Sequence, residues 1–182
     1  MGIIRKDFKY KLIENFLTEE ERKVYNTYCK LKHQLNMTSF DTKQNKNGDT
    51  FFYADPLFEA LMLEKTKLME ENTGLQLFPT YAFWRMYTYL ADLDFHTDRQ
   101  ACEISVTVNI GSSGESWPIF MDGNAVEIKP GAGVIYLGCE LEHGRKEFIG
   151  DWCAQCFLHY VDKNGPYAEH EKDKRLVYGA PR

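Results

Sequence analysis

The sequence predicts a mainly β protein of one domain, with its helices gathered at the N-terminal end, on three observations. Apolar residues recur at helical spacing in two segments that precede Gly74. From Leu75 onward the period shortens to two, in segments rich in Val, Ile, Tyr, Phe, Trp and Thr. Turn signals then separate these segments at the short, regular spacing of an antiparallel sandwich or barrel.

The first helix is expected in "FLTEEERKVYNTYCKLKHQL". Thr18 is the N-cap candidate and Glu21 stands three residues on, the reciprocal pair that satisfies two orphan amides. Val24, Tyr28 and Leu31 follow as its buried stripe. "MTSFDTKQNKNGDTFFYA" is rich in Asn, Gly, Asp and Thr and reads as a loop or loose hairpin around Asn47-Gly48. In "DPLFEALMLEKTKLMEENTG", Asp55 caps, Pro56 takes the first helical position, Leu57, Leu61 and Leu68 share a face, and Gly74 ends the second helix. The strands follow as "TYAFWRMYTYL", "EISVTVNIG", "AVEIKPGAGVIYL" and "DWCAQCFLHYVD". Gly111 to Gly114, Asp122-Gly123-Asn124 and Gly150-Asp151 punctuate them. "KNGPYAEHEKDKRLVYGAPR" is polar and reads as a surface tail. The expected organisation is therefore a helical flank and loop over 1–74, a β core over 75–162 and a tail over 163–182, in a single domain.

The 182 residues are enough to bury a core without disulfides or structural metal. Lys and Arg number 22 against 27 Asp and Glu, a net charge of −5, and no basic run alternates with aromatics, so nucleic acid is an unfavoured partner. The five cysteines are odd in number and "MGIIRKDFKYKLIENF" lacks the apolar core of a secretory signal, which together favour a reducing, cytoplasmic setting. No apolar run approaches the roughly 20 residues that span a bilayer, and no membrane role is expected. Oligomeric state is left open.

Chemistry concentrates in "DLDFHTDRQA". Residues i and i+2 of an extended chain point the same way, so His96 and Asp98 can converge on one ion while Thr97 points away. Two histidines and one carboxylate on one face, with the other face open, form the ligand set of non-haem Fe(II) oxygenases. His143, in "CELEHGRKEF", is the histidine that follows a strong strand and a Pro-Gly-x-Gly turn. Taken singly, His96 reads as a satisfied histidine, Asp98 as a turn carboxylate and His143 as part of a charged loop; their joint placement carries the metal reading. Cys153 and Cys156 face opposite sides of a strand and read as buried structural thiols. His159 reads as a hydrogen-bonded core or wall residue, and His33 and His170 as solvated. Trp117 reads either as part of a lid or as a strand start covering the barrel.

From Trp84 to Val161 the order of parts, Tyr87, His96-Thr97-Asp98, "ISVTVNI", "KPGAGVIYL", His143 and "CFLHYV", resembles the 2-oxoglutarate and Fe(II)-dependent dioxygenases, in their prolyl-hydroxylase-like branch. The resemblance implies a double-stranded β-helix, or jelly-roll barrel, with Fe(II) held by His96, Asp98 and His143 at one mouth. It also implies 2-oxoglutarate as cosubstrate, O2 as oxidant, and hydroxylation with release of succinate and CO2. The substrate would be a peptide, a protein side chain or a small amino-acid-like molecule. A carboxylate at Asp98 fits hydroxylation better than halogenation. The distal carboxylate of 2-oxoglutarate needs a cation with a hydroxyl beside it. Here the chain departs from the family, which places Arg or Lys in the stretch that reads "DWCAQC". Arg145, on the face of His143 if the chain stays extended, is the preferred anchor, with Tyr87 donating a hydrogen bond and Gln155 assisting; Arg85 is the alternative cation. The missing late cation also leaves a second class of reading, a non-catalytic jelly-roll binding or structural module that retains the metal site.

Overall fold

The computed structural model describes residues 8–35 and 48–180, so most of the loop expected around Asn47-Gly48 lies outside the described residues. The chain is mainly β. Among the described residues ten strands run in order as β1 (Tyr10–Ile13), β2 (Thr50–Tyr53), β3 (Leu77–Thr88), β4 (Leu93–His96), β5 (Ile104–Ser112), β6 (Ile119–Met121), β7 (Asn124–Val126), β8 (Gly133–Leu137), β9 (His143–Arg145) and β10 (Trp152–Asp162). They form a six-stranded sheet in the order β1-β8-β5-β10-β3-β2 and a four-stranded sheet in the order β4-β9-β6-β7. Every pairing is antiparallel. Ile119 and Met121 of the smaller sheet pack on Val134 and Tyr136 of the larger one, so the two sheets face each other.

The N-terminal part is not only helix and loop, since β1 and β2 form the two edges of the large sheet. Each is only four residues long, β1 exposes Lys11 and Leu12, and β2 follows directly on the Asn-, Gly- and Asp-rich stretch that reads as a loop.

Helix α1 (Glu19–Gln34) begins at Thr18 with both arms of the reciprocal cap formed. Its buried stripe differs from the expected one. Val24 and Leu31 are 59% and 55% exposed, whereas Tyr25, Tyr28 and Cys29 face the core. Tyrosines bury their rings while keeping the hydroxyl in reach of partners, as Tyr28 does on Asp55 at 2.8 Å, so they outcompete the aliphatic residues for the inner face. Helix α2 (Pro56–Thr73) starts on Asp55, which accepts from the Leu57 amide, and stops at Gly74 in the left-handed conformation at φ 71°. Leu61 is buried as expected, but the inner face centres on Phe58, Met62 and Met69, with Leu57 and Leu68 half-buried at its margins. α1 packs on β5 of the large sheet and α2 on β3 and β10, in one core that takes in Ile104, Val106, Val108 and Ile110 of β5. Alternation turns Ser105, Thr107 and Asn109 to the opposite face, toward the space between the sheets, and these too are buried.

The segment after β10, expected as a surface tail, is anchored by its charged residues. Asp173 is buried and receives both guanidinium arms of Arg99 at 2.7 and 2.8 Å and the Tyr53 hydroxyl at 2.5 Å. Arg175 pairs with the buried Glu59. Leu176 and Val177 stay exposed, the reverse of what polarity alone suggests. Among the described residues, no helix is long and apolar enough to cross a membrane.

Candidate metal centre

The β4 and β9 ladder sets His96 directly opposite His143, with ring centroids 4.5 Å apart. β4 ends at His96, and Asp98 lies just beyond it, where its amide donates to the Gly138 carbonyl at 2.7 Å. Gly138 is required there, since a Cβ would fall 2.1 Å from the Cys102 carbonyl and 2.6 Å from Oδ2 of Asp98. Asp98 Oδ1 lies 3.4 Å from His96 Nε2 and 3.6 Å from His143 Nε2. The Nδ1 atoms sit against backbone carbonyls, His96 on Asp94 at 2.7 Å and His143 on Leu141 at 2.9 Å. A carbonyl only accepts, so each Nδ1 carries the proton and each Nε2 presents a lone pair toward Asp98. The three donor atoms are thereby arranged as a metal-ligand group.

The electrostatics agree with that arrangement. In place of a metal, a proton taken up by an imidazole at Nε2 is donated to Asp98: burial raises the Asp98 carboxyl, but such hydrogen bonds from His143 and His96 outweigh it and hold the group well below the usual carboxylate range. The hydrogen bond to Asp98 raises His96 in turn. His143 is 2% exposed, while the His96 side chain is 38% exposed and opens onto a cavity of about 470 Å³ lined by Tyr53, Tyr81, Phe83, Arg99 and Phe157.

Arg145, two residues along β9 from His143, is 2% exposed. One arm donates to the Trp117 carbonyl at 2.5 Å and the other to Gln155 Oε1 at 3.4 Å, the guanidinium lies over the Trp117 ring, and Nε has no hydrogen-bond partner. Burial pulls its pKa down. Tyr87 packs against Trp117 in the same cluster. Gln155 also donates to the Cys153 sulfur at 3.1 Å. Arg85, the alternative cation, is held by the buried Asp49 through Nε at 2.6 Å and through a second contact.

The alternating pattern concealed two further polar residues. Thr107 Oγ1 and Asn109 Oδ1 are buried without partners on the inner face of β5, and Asn109 stands opposite Gln155 in the ladder. Their signal was the polar phase of "ISVTVNI", which ordinarily marks a solvated face. Trp117 is a wall of this interior, its Nε1 bonded to the Lys146 carbonyl. All five cysteines are free thiols, and Cys153 and Cys156 are buried. His33 and His170, expected to be solvated, are both half-buried. His33 Nδ1 meets Thr50 Oγ1 at 2.7 Å, and both ring nitrogens of His170 are buried without a hydrogen bond.

His159 is 5% exposed, and burial pushes it down to about 4 from an ordinary 6.5. An unfolded chain therefore binds a proton at this residue before the folded one does. Its stabilising contribution is complete above pH 6.5 and is lost as pH falls toward 4, by about 3 kcal/mol at 1.36 kcal/mol per unit. Urea midpoints between pH 7 and 4 are expected to fall less steeply in His159→Gln than in wild type; parallel slopes would contradict a buried neutral imidazole.

No family model matches the sequence, and no curated protein matches it. Solved structures do resemble it. A prolyl-4-hydroxylase from Pseudomonas putida superposes with a TM-score of 0.67 at 15% identity, over 86% of this chain and 94% of that one. The viral collagen prolyl hydroxylase of Paramecium Bursaria Chlorella virus-1, in complex with 2OG, gives 0.65 at 11% over 85% and 96%. The non-heme alpha ketoglutarate dependent epimerase SnoN from nogalamycin biosynthesis gives 0.69 at 11% over 96% and 90%. Similarity at such low identity is a statement about architecture, and by that measure the chain has the fold of the prolyl-4-hydroxylases and other 2OG-Fe(II) oxygenases.

Proposed function

We propose that this protein is an Fe(II)- and 2-oxoglutarate-dependent dioxygenase that hydroxylates a peptide, a protein side chain or a small amino-acid-like substrate. The observation that carries the reading is the convergence of His96 Nε2, His143 Nε2 and Asp98 Oδ1, with both Nδ1 atoms already committed to backbone carbonyls. Two neutral imidazoles and one carboxylate suit Fe(II) and leave part of its coordination open. The two facing sheets would then be the walls of a double-stranded β-helix, within one domain whose core spans 75–162. Five free thiols are in keeping with a reducing, cytoplasmic setting.

When bound, the iron and 2-oxoglutarate supply the oxidising power, O2 being reduced as the keto acid is converted to succinate and CO2. The chain supplies position. His96, Asp98 and His143 hold the metal. Arg145, buried with an unpaired Nε and no carboxylate partner among the described residues, is suited to the distal carboxylate of 2-oxoglutarate. Gln155 accepts from its other arm, and Tyr87, packed on the Trp117 ring that the guanidinium also covers, is proposed to donate a hydrogen bond to the same carboxylate. The absent late-strand cation favours a non-catalytic module, and the buried arginine on β9 supports the catalytic reading against it. The aromatic lining of the cavity beside His96 is where the substrate would enter.

Anaerobic addition of Fe(II) and then 2-oxoglutarate to metal-free protein is expected to produce the weak visible charge-transfer band of a chelated keto acid, and His143→Ala is expected to lose it. Iron binding without the band would remove 2-oxoglutarate from the reading and favour the module.

A further inference from the structure

We infer that His159 is a positioning residue for the metal-binding carboxylate: it donates through Ser105 onto the outer oxygen of Asp98 and so leaves Oδ1 to the metal. This rests on the metal reading above. His159, Ser105 and Tyr136 stand opposite one another on the adjacent strands β10, β5 and β8, a single row across the inner face of the large sheet. The row ends on Asp98 Oδ2, which lies 3.3 Å from Ser105 Oγ and 3.4 Å from the Tyr136 hydroxyl. Oδ1 faces the two histidines instead.

Counting protons fixes the direction of the row. Ser105 Oγ has one hydrogen, and three acceptors surround it: His159 Nδ1 at 2.8 Å, the Cys102 carbonyl at 3.1 Å and Asp98 Oδ2 at 3.3 Å. If Ser105 gave its proton to the imidazole, a hydroxyl lone pair would face a carboxylate whose side chain is only 12% exposed, across a serine that is fully buried. If His159 carries its proton on Nδ1, it donates to Ser105, and the hydroxyl hydrogen is free to turn to the charged acceptor, which binds it more strongly than the neutral carbonyl does. The imidazole is held for this by the Tyr81 ring at 4.5 Å, and Tyr81 is itself fixed by its hydroxyl against the Cys102 sulfur at 3.1 Å. A carboxylate with one oxygen tied in this way meets a metal through the other alone, which keeps an adjacent coordination position open.

The same neighbourhood contains a competing arrangement, since donor atoms of Asp98, Cys102 and His159 also lie within 4.8 Å of one another. Anaerobic titration of metal-free protein with Co(II) separates the two. Ligand-field bands in the visible report binding, and a near-ultraviolet thiolate-to-Co(II) band reports an ion on Cys102. Ser105→Ala and His159→Leu are each expected to weaken Co(II) binding about tenfold or more, the usual size of an outer hydrogen-bond partner's effect. His159→Gln, whose amide can still donate to Ser105, is expected to stay close to wild type. Ser105→Ala with His159→Leu is expected to be no weaker than Ser105→Ala alone, because both remove one relay. Wild-type affinity in His159→Leu or additive losses in the double variant would each overturn the assignment while the oxygenase reading stood; a thiolate band that disappears in Cys102→Ser would put the ion on Asp98, Cys102 and His159 and overturn both. Failure of wild type to bind Co(II) would remove both. If Ser105→Ala does not fold, the contrast between the Gln and Leu variants decides alone.

Discussion

Arg145→Met is expected to weaken 2-oxoglutarate binding by about 100-fold or more and, at the same time, to make the ligand-free protein more stable. The two effects share one cause. A guanidinium that is 2% exposed, with Nε unpaired and no carboxylate against it among the described residues, has lost its hydration and gained only two carbonyl-type acceptors and a tryptophan face. Burial lowers its pKa for the same reason. Methionine has similar length and no charge to desolvate, so relief of about 1–4 kcal/mol is expected, in line with apolar replacement of other buried charges. In a chain of this size that corresponds to a rise in melting temperature of roughly 2–16 °C. The dicarboxylate, however, would enter a site with nothing to neutralise its distal end. Lysine would restore the charge without the two-pronged geometry and should recover only part of the affinity. Co(II) binding should be unchanged, since His96, Asp98 and His143 remain. Thermal unfolding of the apo protein and the charge-transfer titration check the two halves separately. Unaltered 2-oxoglutarate affinity would remove Arg145 from the site, and a fall in stability would mean that its packing outweighs its charge.

What the sequence made legible was local. Thr18 with Glu21, Asp55 with Pro56, and Gly74 each act within a few residues, so the helix ends could be read from them directly. The change of period at Leu75 placed the strands, and His96-x-Asp98 was readable because neighbouring residues in extended chain leave a fixed geometric signature. His143 needed the strand order as well, and its pairing with His96 came from a ladder that joins residues 47 positions apart. Less legible was any polar residue whose partner is distant. The polar phase of β5 looked like a wet face, yet Ser105, Thr107 and Asn109 are sealed by the second sheet. Of the stripe expected on α1, Tyr28 faces the core while Val24 and Leu31 lie outside it, because the inner face is shifted toward Tyr25 and Cys29. Asp173 and Arg99 are 74 residues apart, and Glu59 and Arg175 are 116 apart. No periodicity reports such a pair, and a run of Glu, Lys, Asp and Arg is indistinguishable from a solvated tail until the fold brings the partners together.

That last pair carries the second large effect: Glu59→Ala is expected to destabilise the protein by about 3–5 kcal/mol, the size of loss seen when one member of a buried ion pair is removed. The side chains of Arg175 and Glu59 are 4% and 1% exposed, and Arg175 also donates to the Ala180 and Thr80 carbonyls, at 2.7 and 3.0 Å. Without Glu59 the guanidinium must either stay buried with carbonyls alone or pull the terminal segment off β3. The melting temperature should fall by roughly 6–20 °C. Glu19→Ala, which breaks an ion pair with Arg22 on the exposed side of α1, should leave it unchanged, because water already screens that pair. Replacing both buried partners, Glu59→Leu with Arg175→Met, should recover most of the loss, since neither residue is then left as an uncompensated charge. The terminal segment also carries Asp173, whose carboxylate fixes Arg99 and Tyr53 in the wall of the cavity beside His96. If Glu59→Ala releases the segment instead of tolerating a buried cation, trypsin should cut at Lys172 and Lys174 well below the global melting temperature. Protection of those bonds in the variant would show that the Arg99 and Asp173 pair holds the segment without help from Arg175.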